Sequence, residues 1–181
     1  MKDHHALLWL DLEMTGLDAE QDVILEIAVI ATDINLTSVI EGPAFTIFQS
    51  EPVLQRMNSW VKNQHTKSGL IDRVATSQVS EKIAENSIVD FIDNYCAQEI
   101  YFAGNSIYQD RTFLKKYMPR LNARGHYRMV DVSSLKILVQ GWYPKSPERD
   151  FKKSKPHRAL DDIRESIAEL RHYKNYFFKQ L

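Results

Sequence analysis

Cysteine occurs once, at position 96, which excludes an internal disulfide and a cysteine-rich zinc site. Such a chain suits a reducing compartment. No charged-then-apolar leader opens the sequence, and no apolar run approaches the ~20 residues of a membrane-spanning helix. A cytoplasmic protein is the expectation. Surplus charge is missing as well, the formal net charge being −1. A protein that wraps long nucleic acid carries a basic excess, because affinity rises with the number of phosphates neutralised. Any such partner of this chain is therefore short, or it meets positive charge concentrated locally. Internal repeats, low-complexity tracts and a Gly-x-Ser-x-Gly elbow are also absent. The last absence removes a serine-hydrolase reading, and Cys96, inside an amphipathic stretch, offers no cysteine-hydrolase reading in its place.

What is present is an ordinary globular composition, 44% hydrophobic and 26% charged over 181 residues. It predicts one domain over residues 1–181 with a sizeable core. Ala6–Leu12 is a nearly continuous apolar run before the turn Thr15-Gly16-Leu17-Asp18, the pattern of a buried strand. Residues 23–33 predict a second strand and Ala44–Phe48 a third, joined by two antiparallel connections. Residues 78–95 predict a helix with Ile83, Ile88, Phe91, Ile92 and Tyr95 on one face. A strand over Ile100–Ala103 and a helix over Asp110–Met118, stopped by Pro119, come next. A strand over Tyr127–Val130 then leads to a helix over Ser133–Gln140 that ends at Gly141. After it comes a loop of about 17 residues containing Pro144, Pro147 and Pro156, a length that marks a functional or mobile segment. Residues 159–178 form the clearest helix, with Leu160, Ile163, Ile167, Leu170 and Tyr173 in one stripe. Three strands, then helices alternating with two more, predict a mixed five-stranded α/β sheet.

Charge is unevenly spread. Met1–Ile30 holds seven acidic residues against one Lys, whereas Gly141–Leu160 holds six Lys or Arg against two acidic residues. An acidic end and a basic loop can grip cations and phosphates together, although a scatter of solvated charges has the same composition.

In a strand, residues i and i+2 share a face, so Asp11 and Glu13 project side by side while Leu12 faces the other layer. Adjacent carboxylates repel, and burial raises the cost of ionising both. A divalent cation removes that cost, and hard oxygen ligands suit Mg²⁺ or Mn²⁺. The bland alternative is a strand that emerges into solvent at Asp11. Asp110, near a strand–helix junction, has a bland alternative too, as a helix cap. Asp161 and Asp162 both fit the first turn of a helix, where the dipole favours acids. His157 lies outside any apolar stripe, and histidine is a side chain that can take up a proton near neutral pH. Together, three acidic positions and a loop histidine match two-metal phosphodiester cleavage. Carboxylates there hold two ions ~3.5–4 Å apart, and a base near neutral pKa takes the proton of the attacking water.

These residues resemble the motifs of the DEDD exonuclease superfamily in its histidine-containing branch: Asp11-x-Glu13, Asp110 and His157-x4-Asp162. Within that branch the runs Leu-Asp-Leu-Glu-Met-Thr-Gly-Leu-Asp (10–18), Gly-Asn-Ser-Ile (104–107), Gln-Asp-Arg (109–111), His-Tyr-Arg (126–128), Asp-Val-Ser (131–133) and Ala-Leu-Asp-Asp-Ile-Arg-Glu-Ser (159–166) are similar to the oligoribonuclease family. The resemblance spans about residues 6–178. It implies an RNase H-like mixed five-stranded sheet flanked by helices, and a homodimer. It also implies 3′-to-5′ removal of 5′-mononucleotides from very short RNAs, especially dinucleotides, including linear ones from cyclic dinucleotide signalling. By the same resemblance Asp11, Glu13 and Asp162 ligate a first metal, Asp11 and Asp110 hold a second directly or through water, and His157 is the general base.

Substrate contacts follow from the same source. Leu17 is similar to an apolar wedge against a base, and otherwise to a core leucine after a turn. Trp60 offers a stacking face or a core side chain. His65 faces the scissile phosphate in this reading. Ser106, Arg128 and Ser133 cap the 5′ phosphate, with Arg128 suited to bidentate grip and the helix after Asp131 suited to anions. Tyr127 comes from the partner subunit to stack on a base. The bland reading makes Asp131 or Ser133 a helix cap and leaves Arg128 solvated. Two positions depart from the family pattern: Tyr108 either narrows the site or packs beneath it, and Gly125 loosens the strand carrying Tyr127. The competing readings are a DNA proofreading or repair 3′–5′ exonuclease of the same fold, and a non-catalytic nucleotide-binding module.

Overall fold

The computed structural model describes residues 5–152 and 158–178. Its sheet has five strands: β1 (Leu7–Met14), β2 (Ile24–Thr32), β3 (Val39–Thr46), β4 (Ile100–Gly104) and β5 (Gly125–Asp131). The spatial order is β3-β2-β1-β4-β5, antiparallel from β3 to β1 and parallel from β1 to β5. This is the mixed sheet predicted. β1 lies at its centre and continues past Leu12, so Asp11 and Glu13 are inside the strand, and the bland reading of a strand leaving for solvent at Asp11 fails.

Alternation along β1 builds two layers. Leu8, Leu10 and Leu12 face one core with Ile88, Phe91 and Ile92 of α4 (Glu81–Tyr95) and Phe113 of α5 (Ile107–Tyr117). Leu7 and Trp9 face the other with Val139 of α7 (Val132–Trp142) and Ile163, Ile167 and Tyr173 of α8 (Ala159–Phe177). Asp11 and Glu13 continue the second row, which turns them toward α8. The α8 stripe holds as expected, with Leu160 and Leu170 partly buried beside it.

Several boundaries differ from expectation. β3 begins at Val39, earlier than Ala44. Residues 51–76 carry three helices not foreseen: α1 (Glu51–Leu54), α2 (Ser59–Lys67) and α3 (Leu70–Thr76). In α4 the buried face is rotated from the one predicted: Ile83 and Tyr95 are exposed, while Ala84, Glu85 and Val89 turn inward. Glu85 is tolerated there because its carboxylate accepts the main-chain N–H groups of Arg120 and Leu121 at 2.7 and 3.1 Å, at the start of α6 (Pro119–Arg124). Pro119 does end α5, by forcing Met118 out of the helical region (φ −137°, ψ 61°). Gly141 does not end α7, since the helix runs on to Trp142 and stops at Tyr143, the residue before Pro144.

Candidate active site

Asp11, Glu13 and Asp162 each offer a carboxylate oxygen, and the three atoms lie within 4.8 Å of one another. β1 supplies the first two, and the first turn of α8 supplies the third. That turn is held by Glu26 of β2, whose carboxylate accepts the N–H of Ala159 at 3.3 Å and pairs with Arg73 at 3.2 Å. Glu26 stands directly opposite Glu13 in the sheet register. It was not singled out from the sequence. The available signal was a lone charge in the apolar run Ile24–Thr32.

Asp110 enters from the first turn of α5 and is buried. It is not a cap, because α5 begins at Ile107 and the N-cap position belongs to Ser106. Instead its Oδ1 accepts the main-chain N–H of Leu12 at 3.0 Å. This hydrogen bond locks Asp110 against the segment that presents Asp11 and Glu13.

Crowding of like charge in a buried place is visible in the acidities. Burial first, then repulsion from Asp110, Glu13, Asp162 and Glu26, pushes the Asp11 carboxyl well above the usual range. Glu13 is pushed up to about 7 by burial and then by Asp162, Glu26 and Asp110, with Arg73 pulling it down. Asp110 is raised to about 7 by burial, opposed by the N–H groups of Leu12 and of Asp110 itself. Three hard, converging oxygen donors whose charges repel one another fit a divalent cation, which removes the cost of ionising them together. His157, Lys153, Lys155 and Pro156 lie outside the described residues. Asp161, next to Asp162, is turned away in an ion pair with Arg164 at 2.8 Å.

A cleft of about 620 Å³ opens beside Glu13, walled by Met14, Leu17, Trp60, Val61 and His65. Leu17 is 74% exposed and Trp60 69% exposed, so neither is the core residue that each could have been. Gly16 allows the turn to close, since a Cβ there would stand 2.3 Å from the Asp22 carboxylate. His65 is buried; its Nε2 donates to the Met14 carbonyl at 2.9 Å, which leaves Nδ1 3.9 Å from Glu13 Oε2.

On the other flank Ser106 and Ser133 meet, Oγ to Oγ, at 3.3 Å. Ser106 has a left-handed backbone (φ 53°), unusual for a residue with a Cβ and stabilised here by its N–H donating to Asp131 Oδ1 at 3.1 Å. The same Asp131 oxygen caps α7 by accepting from Ser133 and Ser134. The capping expectation for Asp131 thus holds, and the Ser133 hydroxyl is engaged elsewhere, donating to Asn105 Oδ1 at 3.0 Å. Arg128 is exposed on β5, its guanidinium 4.6 Å from the centre of the Tyr127 ring. Tyr108 is 65% exposed and does not pack beneath the site. Gly125 does not loosen β5: a Cβ there would meet the Phe102 ring at 2.3 Å, and Arg111 clamps the carbonyls of Gly125, His126 and Tyr127.

The exonuclease family model RNase_T matches residues 8–170. The chain is 51% identical over 174 residues to oligoribonuclease of Klebsiella pneumoniae, covering 96% of both chains. It is 49% identical over 180 residues to that of Pseudomonas aeruginosa PAO1, covering 99% of both. Among solved structures, exonuclease I of Methylocaldum szegediense superposes with a TM-score of 0.71 at 20% identity, over 96% of this chain and 41% of that one. Exonuclease I of E. coli in complex with a dT13 oligonucleotide gives 0.66 at 14% identity, over 98% of this chain and 41% of that one. At these identities the two structures show the fold alone. The chain belongs to the exonuclease family and, within it, to the oligoribonucleases.

Proposed function

We propose that this protein is a 3′-to-5′ exoribonuclease that degrades very short RNAs, dinucleotides above all, to 5′-mononucleotides. Linear dinucleotides left by cyclic dinucleotide signalling belong to that class. The observation that carries this reading is the convergence of Asp11, Glu13 and Asp162 within 4.8 Å, with Asp110 tied to the same strand. It is supported by about half-identity to oligoribonucleases over the whole chain, which also supports a single exonuclease domain over residues 1–181.

In this reading Asp11, Glu13 and Asp162 hold one Mg²⁺ or Mn²⁺, and Asp11 with Asp110 holds a second. Two such ions stabilise the attacking and leaving oxygens of the phosphodiester and lower the pKa of water. His157, five residues before Asp162, takes the proton of the attacking water. His65 faces the scissile phosphate, with its Nε2 already committed to Met14. Leu17 and Trp60 present apolar surface to the bases from the cleft wall. Ser106, Ser133 and Arg128 receive the 5′ phosphate, and Tyr127 of the partner subunit stacks on a base. A site closed at the 5′ end admits only short chains, in keeping with the near-zero net charge.

A homodimer is supported by the apolar side chains that α7 turns to solvent, Ile137 and Trp142. No helix among the described residues is long and apolar enough to cross a membrane, in keeping with a cytoplasmic enzyme. Incubation with labelled RNAs of two, four and twenty nucleotides, in Mn²⁺ and in EDTA, tests the reading. Fast metal-dependent cleavage of the dinucleotide and slow attack on the twenty-mer are expected. Equal rates across lengths would remove the capped site, and preference for a long DNA strand would favour the repair-exonuclease reading.

A further inference from the structure

A continuous hydrogen-bonded chain runs from the Ser106–Ser133 pair to the first turns of α8, and Asn105 is its centre. Ser106 Oγ donates to Ser133 Oγ at 3.3 Å, and Ser133 Oγ donates to Asn105 Oδ1 at 3.0 Å. On its other side the Asn105 amide nitrogen donates to Ser166 Oγ at 2.7 Å and to Glu169 Oε2 at 3.3 Å. Ser166 Oγ in turn donates to the main-chain carbonyl of Asp162 at 2.8 Å. Every link therefore donates in the same direction, toward Asp162, an arrangement in which successive bonds polarise one another.

Glu169 gives this chain a rigid base. It is 0% exposed, accepts the Tyr173 hydroxyl at 2.9 Å, and stands 3.9 Å from Lys136 Nζ of α7. The proposed reaction uses neither Glu169 nor Asn105. A buried carboxylate is costly unless hydrogen-bonded, and its partners here come from three separate elements: the β4–α5 link, α7 and α8. The network thus ties the Ser106–Ser133 pair to α8. A side chain at position 105 needs an acceptor for Ser133 and a donor for Ser166 and Glu169 at once, which an amide supplies.

We propose that Asn105 is a length-setting positioning residue: by tying Ser133 to α8, it fixes the distance between the 5′-end pocket and the metal-binding carboxylates. The inference rests on the reading of Ser106 and Ser133 as that pocket. Without the tie, Ser133 loses its hydrogen-bonded connection through Asn105 to α8, the helix that carries Asp162.

The test compares kcat and KM for a 5′-phosphorylated dinucleotide, a tetranucleotide and the p-nitrophenyl ester of a 5′-mononucleotide. The ester reaches the metal site without reaching the 5′-end pocket. Wild type, Asn105→Ala, Ser133→Ala and the double variant are measured, with folding checked by circular dichroism. The dinucleotide-to-ester ratio of kcat/KM is expected to fall ~3- to 10-fold in Asn105→Ala, the range of one hydrogen bond, and to fall mainly through KM. The double variant is expected to match Ser133→Ala, because Asn105 acts through Ser133. Ser166→Ala removes one of the two bonds from Asn105 to α8 and leaves the one to Glu169; it is expected to lower the same ratio to a smaller extent, and it carries the test should Asn105→Ala not fold. An unchanged ratio in the folded variants, or a double variant as impaired as the product of the singles, would overturn the inference. Wild type showing no preference for the dinucleotide over the tetranucleotide would instead overturn the reading of the pocket on which it rests.

Discussion

The main-chain N–H of Leu12 donates to Asp110 Oδ1 at 3.0 Å, so the residue between Asp11 and Glu13 is the one that anchors the fourth carboxylate. Asp110→Asn keeps an oxygen for that bond and removes the charge. The variant is expected to fold and to melt in EDTA no lower than wild type. Its Mn²⁺-dependent turnover should fall by at least ~10²-fold, the loss of about 3 kcal/mol of transition-state stabilisation. Melting and kinetic measurements on the same preparation check both halves.

The raised acidities make a prediction for the metal-free protein. The folded pKa of Glu13 is about 7 against an ordinary 4.5, and that of Asp110 is about 7 against 3.8. Folding therefore favours the protonated forms. Their contribution to stability is fully present below the ordinary values and is lost as pH rises toward 7. In EDTA, Glu13→Gln should gain stability over wild type at pH 8 and little at pH 4. Each kcal/mol relieved is worth roughly 2–4 °C in Tm for a chain of this size. Saturating Mn²⁺ should raise the wild-type Tm and erase the variant's advantage. A Glu13→Gln protein less stable than wild type at pH 8 without metal would contradict the repulsion account.

His157→Ala is expected to lower kcat by ~10²- to 10⁴-fold, the usual contribution of a general base, with a smaller change in dinucleotide affinity. Stopped-flow rates and equilibrium binding of a non-hydrolysable dinucleotide separate the two effects.

Trp60 projects from α2 into the cleft beside Leu17. Because it is 69% exposed, Trp60→Ala should change stability by no more than ~0.5 kcal/mol. Loss of a base-stacking face should raise the dinucleotide KM by about tenfold. An unchanged KM would assign the cleft to something other than the bases.

The carboxylates were legible in the sequence because chemistry and periodicity coincide there. Asp11-x-Glu13 interrupts an apolar strand with two like charges on one face, and Asp162 opens the most regular helical stripe in the chain. Asp110 was legible as a residue but not in its role, because its partner is a main-chain N–H 98 positions away. Helix α2 left little trace, since Ser59–Lys67 contains just two apolar side chains, Trp60 and Val61, and Trp60 faces outward. Gly125 looked like a weakness. Its reason is a ring from the neighbouring strand β4, and local sequence carries no record of it. Glu26 and Asn105 act by holding other residues in place, which becomes visible once β2, β4, α7 and α8 are brought together.

If Asp11, Glu13 and Asp162 form one metal site that drives RNA hydrolysis, turnover must depend on the Asp162 carboxylate. The most direct measurement is turnover of a labelled dinucleotide across a Mn²⁺ titration by wild type and by Asp162→Ala, each shown to be folded. Activity is expected to rise with Mn²⁺ in wild type, and the variant to be slower by ~10³-fold or more, equivalent to about 4 kcal/mol. A folded Asp162→Ala protein that turns over the dinucleotide at close to the wild-type rate would contradict that expectation.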